Sequence, residues 1–261
     1  MSSTEAVTSL TVDRLPSGVA VLTINRPDAR NAVDLATARA ISSTFDVLDD
    51  DPTCRVIVLT GAGGHFSAGM DLKAFRARGE RPVDEKRGPF GLVRIPPRTP
   101  LIAAVEGAAV GGGFEIALAC DLIVAAENSV FGLPEVQRGL TAAGGGLLRL
   151  PSRIPYHLAM EAILTGRRLT AGWCAEHGLV NKIAPSGQAL DAALDLAEEI
   201  ARNGPLAVQA SKAVVSESGN WTHDEAFDRQ EAIVDPIRRS ADALEGAAAF
   251  AEKRQPIWTG R

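Results

Sequence analysis

Cysteine is scarce in this 261-residue chain, which has only Cys54, Cys120 and Cys174. They are far apart, odd in number, and have neither metal-site nor disulfide spacing, so a reducing cytoplasm is the simplest setting. Positive charge is also short. Acids outnumber bases by 32 to 27, for a formal charge of −5, which argues against a nucleic-acid surface built on clustered Lys and Arg. A small anionic ligand stays open, because backbone N–H groups and a few local bases can hold a phosphate on an acidic protein. The start, MSSTEAVTSLTVDRL, has no basic segment leading into an apolar one, so no signal peptide is expected. A clean apolar run of membrane-spanning length is missing too. The nearest, residues 101–120 (LIAAVEGAAVGGGFEIALAC), holds two glutamates and a run of glycines, and a membrane role is rejected. Internal repeats and low-complexity tracts are absent.

What remains is an ordinary globular composition, 46% hydrophobic and 23% charged, long enough for one large domain or a core with an appendage. VTSLTVDRL and SGVAVLTIN read as an N-terminal hairpin. From Asp34 to Leu48, apolar residues at Leu35, Ala38, Ile41, Phe45 and Leu48 recur at helical spacing. RVIVLTG (55–61), PLIAAVEG (100–107) and DLIVAAEN (121–128) read as buried strands, with a helix opening at the glycines between the last two. Strands alternating with helices predict an α/β fold with a parallel sheet. Residues 76–99, charged and rich in Pro and Gly, predict a mobile surface excursion or lid. Apart from a short strand in GLVNKIA (178–184), the chain is helical from Pro155 onward, and beyond residue 186 it is helix alone.

Two glycine-rich loops each follow a buried strand. LTGAGGHFSAGMDLK (59–73) fails the dinucleotide fingerprint, since Phe66 stands where the third glycine should be, and no GK[ST] makes it a P-loop. Each loop alone is read equally well as a turn that needs glycine or as bare N–H groups facing a ligand. Together they place amides at the carboxyl edge of a sheet, where ligands of open α/β folds gather.

Five segments in order, NRPDARNAV, GAGGHFSAGMDL, PLIAAVEGAAVGGGFEIALACDLIVAAE, FGLPEVQRGL and AFAEKR, resemble the enoyl-CoA hydratase/isomerase (crotonase) superfamily over nearly the whole chain. The resemblance implies a crotonase-like spiral of ββα units over residues 1–185 and a C-terminal helical trimerisation region over 186–261. It also implies a homotrimer or a hexamer built as a dimer of trimers. The substrate would be an acyl-CoA thioester, with no metal and no cofactor beyond the coenzyme A carried by the substrate.

The backbone N–H groups of Met70 and Gly112 match the family's oxyanion hole, with Ala68, Gly69, Asp71, Leu72 and Gly111 beside them. Glu115 follows Gly112 by three residues, about one helical turn, and so points to the same side. Glu135 matches the second acid of hydratase relatives. A water held between the two carboxyls can lose a proton to one while the other supplies the α-proton. Arg26, Arg30 and Lys73 are expected near the pantetheine and phosphates, and Phe250 and Lys253 near a neighbouring subunit's coenzyme A. One departure stands out. TAAGGGLLRL (141–150) has Ala142 where hydratases often have proline, and Leu147 and Leu148 where they have polar residues, which predicts a different acyl pocket.

The expected reaction is reversible hydration of a 2-trans-enoyl-CoA to a 3-hydroxyacyl-CoA. Enoyl-CoA isomerisation, a carnitinyl-CoA dehydratase-like reaction and a non-catalytic acyl-CoA-binding regulator are the alternatives. A serine hydrolase is disfavoured. His65 and Ser67 are close in sequence but have no nucleophile elbow, and His157, His177 and His223 lie in helical contexts.

Overall fold

The computed structural model describes residues 9–261. Residues 1–8, on which part of the hairpin and of the reading against a signal peptide rests, lie outside the described residues. The strands β1 (Leu10–Arg14) and β2 (Val19–Ile24) pair antiparallel, with Leu10 opposite Ile24. The helix α1 (Leu35–Asp49) then starts at Asp34, whose carboxylate accepts the Thr37 N–H at 2.9 Å, and it buries Ala38, Ile41, Phe45 and Leu48. That stripe follows the apolar spacing of the sequence.

The next elements are β3 (Val56–Gly61), α2 (Leu72–Arg78), β4 (Val83–Asp84) and β5 (Gly88–Pro89). They are followed by β6 (Leu101–Val105), β7 (Ala108–Val110), α3 (Gly112–Ala119), β8 (Leu122–Ala126) and β9 (Val130–Gly132). The strands β6 and β8 pair in parallel in a six-stranded sheet of order β1-β2-β3-β6-β8, completed by β11 (Lys182–Ala184). Their short partners β7 and β9 pair in parallel in a second, three-stranded sheet with β10 (Leu169–Thr170). Bridges between Ser67 and Ala109, and between Val33 and Met70, carry this second layer back along the chain. Each turn thus leaves one strand in each layer and then a helix, which is the expected ββα spiral.

The helices α4 (Gly146–Arg153), α5 (Tyr156–Thr165) and α6 (Ala171–Glu176) follow, and four helices close the chain: α7 (Ala189–Ala201), α8 (Pro205–Ser218), α9 (His223–Arg238) and α10 (Ala241–Glu252). Through Ala193, Ala197 and Ala201, α7 packs on Val56, Val58, Ile102 and Val124 of the sheet. The boundary expected at residue 186 therefore precedes a helix that belongs to the sheet's cover. In contrast, α9 buries none of its residues fully.

The mobile surface excursion or lid expected at 76–99 is corrected for its second half, while residues 76–81 are exposed. Phe90, Leu92 and Val93 sit in the main core, and Arg87 is only 4% exposed. Its guanidinium bonds Asp46 at 2.7 Å and Asp49 at 3.0 Å, both on α1. The charge of Arg87, which reads as solvated in sequence, is paired across the fold, so residues 87–93 form a wall.

Candidate active site

The spiral brings the two glycine-rich loops together. The loop after β3 is pinned by Val33 N–H to Gly69 O at 2.7 Å and by Asp71 N–H to Val33 O at 3.0 Å. Those bonds use the neighbours of Met70 and leave its own N–H without an acceptor among the described residues. Gly112 is the first residue of α3, where the helix geometry supplies no acceptor for its N–H and the dipole favours negative charge. No described residue accepts from it either. The loops touch closely: a Cβ on Gly69, whose φ is +83°, would lie 2.5 Å from Gly112 N. Glycine at 69 is what lets both amides face one space.

Glu115 lies on α3, every residue of which is buried. Its Oε1 accepts the Gly144 N–H at 2.7 Å and the Gly146 N–H at 2.9 Å, and Oε2 has no hydrogen-bond partner among the described residues. Burial raises its pKa above the usual carboxylate value, outweighing those two amides and the Arg149 charge, which pull it down. Glu135 sits in the first turn of a short 3-10 helix, Pro134–Arg138, that follows β9. Burial, and then the negative charge of Glu115, raise its pKa too, against the pull of Arg138. Its Oε2 is buried without a partner. An acceptor in that state is open to a proton or a ligand.

Both acids, Met70 and Gly112 line one cavity of about 370 Å³, walled further by Phe90, Leu140, Ala143 and Gly144. Met70, Gly112 and Glu135 also line an adjoining groove of about 510 Å³ that carries Arg30, Arg138, Arg167 and Arg168. A small chamber with two amides and two acids therefore opens onto a basic channel. A family model described as enoyl-CoA hydratase/isomerase matches residues 14–261.

The chain belongs to the enoyl-CoA hydratase/isomerase family. It is 45% identical over 249 residues to the enoyl-CoA hydratase EchA19 of Mycobacterium tuberculosis, covering 92% of this chain and 93% of that one. It is 41% identical to a carnitinyl-CoA dehydratase of Salmonella agona, over 92% of this chain and 94% of that one. Among solved structures, the enoyl-CoA hydratase EchA1 of Mycobacterium marinum superposes with a TM-score of 0.94 at 56% identity, over 97% of this chain and 99% of that one. The fold is that of crotonase.

Other residues that family resemblance pointed to are placed less uniformly. Ala68 and Gly111 line the groove, and Leu72 lines both spaces. Arg30 lines the groove, but Arg26 turns inward, bonding Asp71 at 2.9 Å, pairing with Asp34, and donating to the Ala32 carbonyl. Asp71 caps α2 by accepting the Ala74 N–H at 3.0 Å. These two residues hold the loops and line neither space. Lys73 is exposed and lines neither space. Phe250 and Lys253 stand exposed at the end of α10 and line neither space.

Leu148, expected to reshape the acyl pocket, is 79% exposed, and Leu147 packs on the core. Ser67 donates to Asn31 O at 2.8 Å and accepts the Gly69 N–H, so it is a brace for the loop. Sequence reasoning missed the amides of Gly144 and Gly146, the Phe90 wall and the arginines at 138, 167 and 168. The glycine run at 144–146 was the one signal available, since a backbone that clamps a buried acid has no room for side chains.

Proposed function

We propose that this protein hydrates 2-trans-enoyl-CoA thioesters reversibly, giving 3-hydroxyacyl-CoA. The observation that carries this reading is the shared cavity: two acids with raised pKa values face the two amides that no described residue occupies. The thioester oxygen would accept the Met70 and Gly112 N–H groups, which stabilise the enolate formed as water adds. Losing one such donor costs about 3 kcal/mol. Ionised Glu115, held by Gly144 and Gly146, takes a proton from the water as its oxygen bonds C3. Protonated Glu135 gives its proton to C2. Both protons are accounted for, and the acids exchange protonation states until water or the reverse reaction resets them.

Arg30, Arg138, Arg167 and Arg168 supply the charge that would hold coenzyme A phosphates in the groove. No redox step occurs, so the reaction calls for no group beyond the substrate. Three buried free thiols suit a reducing cytoplasm. The exposed Val215, Phe227, Leu244 and Phe250 on α8, α9 and α10 suit burial between subunits of a homotrimer or hexamer, with Phe250 and Lys253 near a neighbour's coenzyme A. Light scattering gives the subunit number directly.

The deciding assay follows loss of the enoyl-thioester absorbance. Glu135→Gln should bind the substrate as wild type does and turn it over slower by orders of magnitude. Near-normal turnover in that variant removes the acid pair from the mechanism. Product analysis distinguishes the 3-hydroxyacyl ester from a shifted double bond.

A further inference from the structure

Arg81 is the only cation lining the acyl cavity among the described residues. It makes no ion pair and no side-chain hydrogen bond with any of them. The groove arginines at 30, 138, 167 and 168 do not line this cavity, and Arg81 does not line the groove. Its attachment to the wall is firm although its head is free. The Val83 N–H bonds Arg81 O at 2.8 Å, the Phe90 N–H bonds Pro82 O at 2.7 Å, and Val83 pairs with Pro89. Arg81 is exposed, its side chain is unpartnered, and its backbone is tethered beside a chamber whose other polar groups are two carboxyls, two amides and Thr141.

We propose that the acyl group this site selects is short and ends in a carboxylate, which Arg81 binds at the end of the chain remote from the thioester. The inference rests on the hydratase reading above. A cavity of about 370 Å³ is near the small end for ligand sites, and Arg81 is among the residues that line it with the two acids, which puts a cation within the space a short acyl chain would fill. A methyl-ended chain leaves the guanidinium nothing to bind. A carboxylate fits its planar fork through two parallel N–H donors. Without that cation, a substrate carboxylate would face Glu115 and Glu135 with no opposing charge on the cavity wall. The same arrangement disfavours an acyl group ending in a quaternary ammonium, as carnitinyl-CoA does.

The test compares glutaconyl-CoA with trans-2-pentenoyl-CoA, and trans-2-hexenedioyl-CoA with trans-2-hexenoyl-CoA, in wild type, Arg81→Gln and Arg81→Lys. In at least one pair, the carboxylated ester should have a kcat/KM about tenfold higher than its methyl-ended partner. Arg81→Gln should erase that ratio, and Arg81→Lys should restore part of it. A wild-type preference for both methyl-ended esters overturns the proposal and leaves the hydratase reading standing. An equal loss on both members of a pair also overturns it, because Arg81 would then only balance the glutamates. Turnover of none of the four esters, beside turnover of a longer or branched enoyl-CoA, overturns this proposal alone; no turnover of any enoyl-CoA sinks the hydratase reading and this proposal with it.

Discussion

Gly144 donates its amide hydrogen to Glu115 Oε1 at 2.7 Å, and it can carry no side chain, since a Cβ there would lie 2.5 Å from Glu115 Oε2. The acid and the glycine that aims it are 29 residues apart in the chain.

Gly144→Ala is therefore expected to push the Glu115 carboxylate out of register while leaving the global fold in place. Displacement of a reacting group by about 1 Å lowers turnover by about a hundredfold. Steady-state kinetics paired with circular dichroism would check this, and an alanine variant with wild-type kcat would mean that Glu115 needs no aiming.

The amides of Met70 and Gly112, proposed above to hold the thioester oxygen, give a second contrast. Gly69→Ala places a methyl group against Gly112 N, and its φ of +83° strains any side chain there. The expected loss is about 3 kcal/mol of transition-state binding, near a hundredfold in kcat. Met70→Ala keeps the backbone donor, so it should shift preference among acyl groups far more than it lowers the best kcat. Parallel loss in both variants would show that the methionine side chain, not the amide, matters.

Both acids carry raised pKa values, and the consequence for stability follows from linkage. As pH rises through the ordinary glutamate value of 4.5, the unfolded chain releases its protons before the native state does. The native state then binds more protons than the unfolded state, so these two groups lower stability between 4.5 and their raised native pKa values. Glu115→Gln, which can still accept the Gly144 and Gly146 amides through its carbonyl, should melt at or above the wild-type temperature near neutral pH. The gain should vanish at pH values well below 4.5. The acidic limb of kcat/KM should lie above that same value, because the base must be ionised. A Gln variant less stable than wild type at neutral pH, with the same fold, would contradict the assignment.

Arg87 ties the 87–93 wall to α1, and its partner Asp49 is as buried as it is, each side chain 5% exposed. Arg87→Ala should destabilise the fold by about 3 kcal/mol, since it leaves a buried carboxylate without its cation. Urea unfolding reads this directly. Phe90 rides on the same segment, and its ring lies where a Cβ on Gly112 would go. KM for acyl-CoA should therefore rise in the same variant.

Local pattern made much of this architecture legible. The apolar spacing of α1 and its Asp34 cap, the buried runs of β3, β6 and β8, and the placement of Glu115 three residues after Gly112 are all short-range facts. Where reading failed, the partners were distant. Residues 87–93 look like part of a solvated loop because the partners of Arg87, Asp46 and Asp49, stand about forty residues earlier on α1. Arg26 looks like a phosphate ligand because nothing nearby in sequence shows that Asp71 and Asp34 hold it. Leu148 was assigned to a pocket that its position on α4 turns it away from.

Periodicities, glycine positions and family membership are legible in chain order alone, because backbone sterics and side-chain alternation act within a few residues. Which charges meet the cavity and which are spent on the scaffold emerges with the folded arrangement. Pairing of charges, burial of carboxyls and convergence of amides depend on distances between segments that the chain order does not contain. Glu115 and Glu135 became an acid pair, and Arg81 a free cation beside them, when the spiral closed.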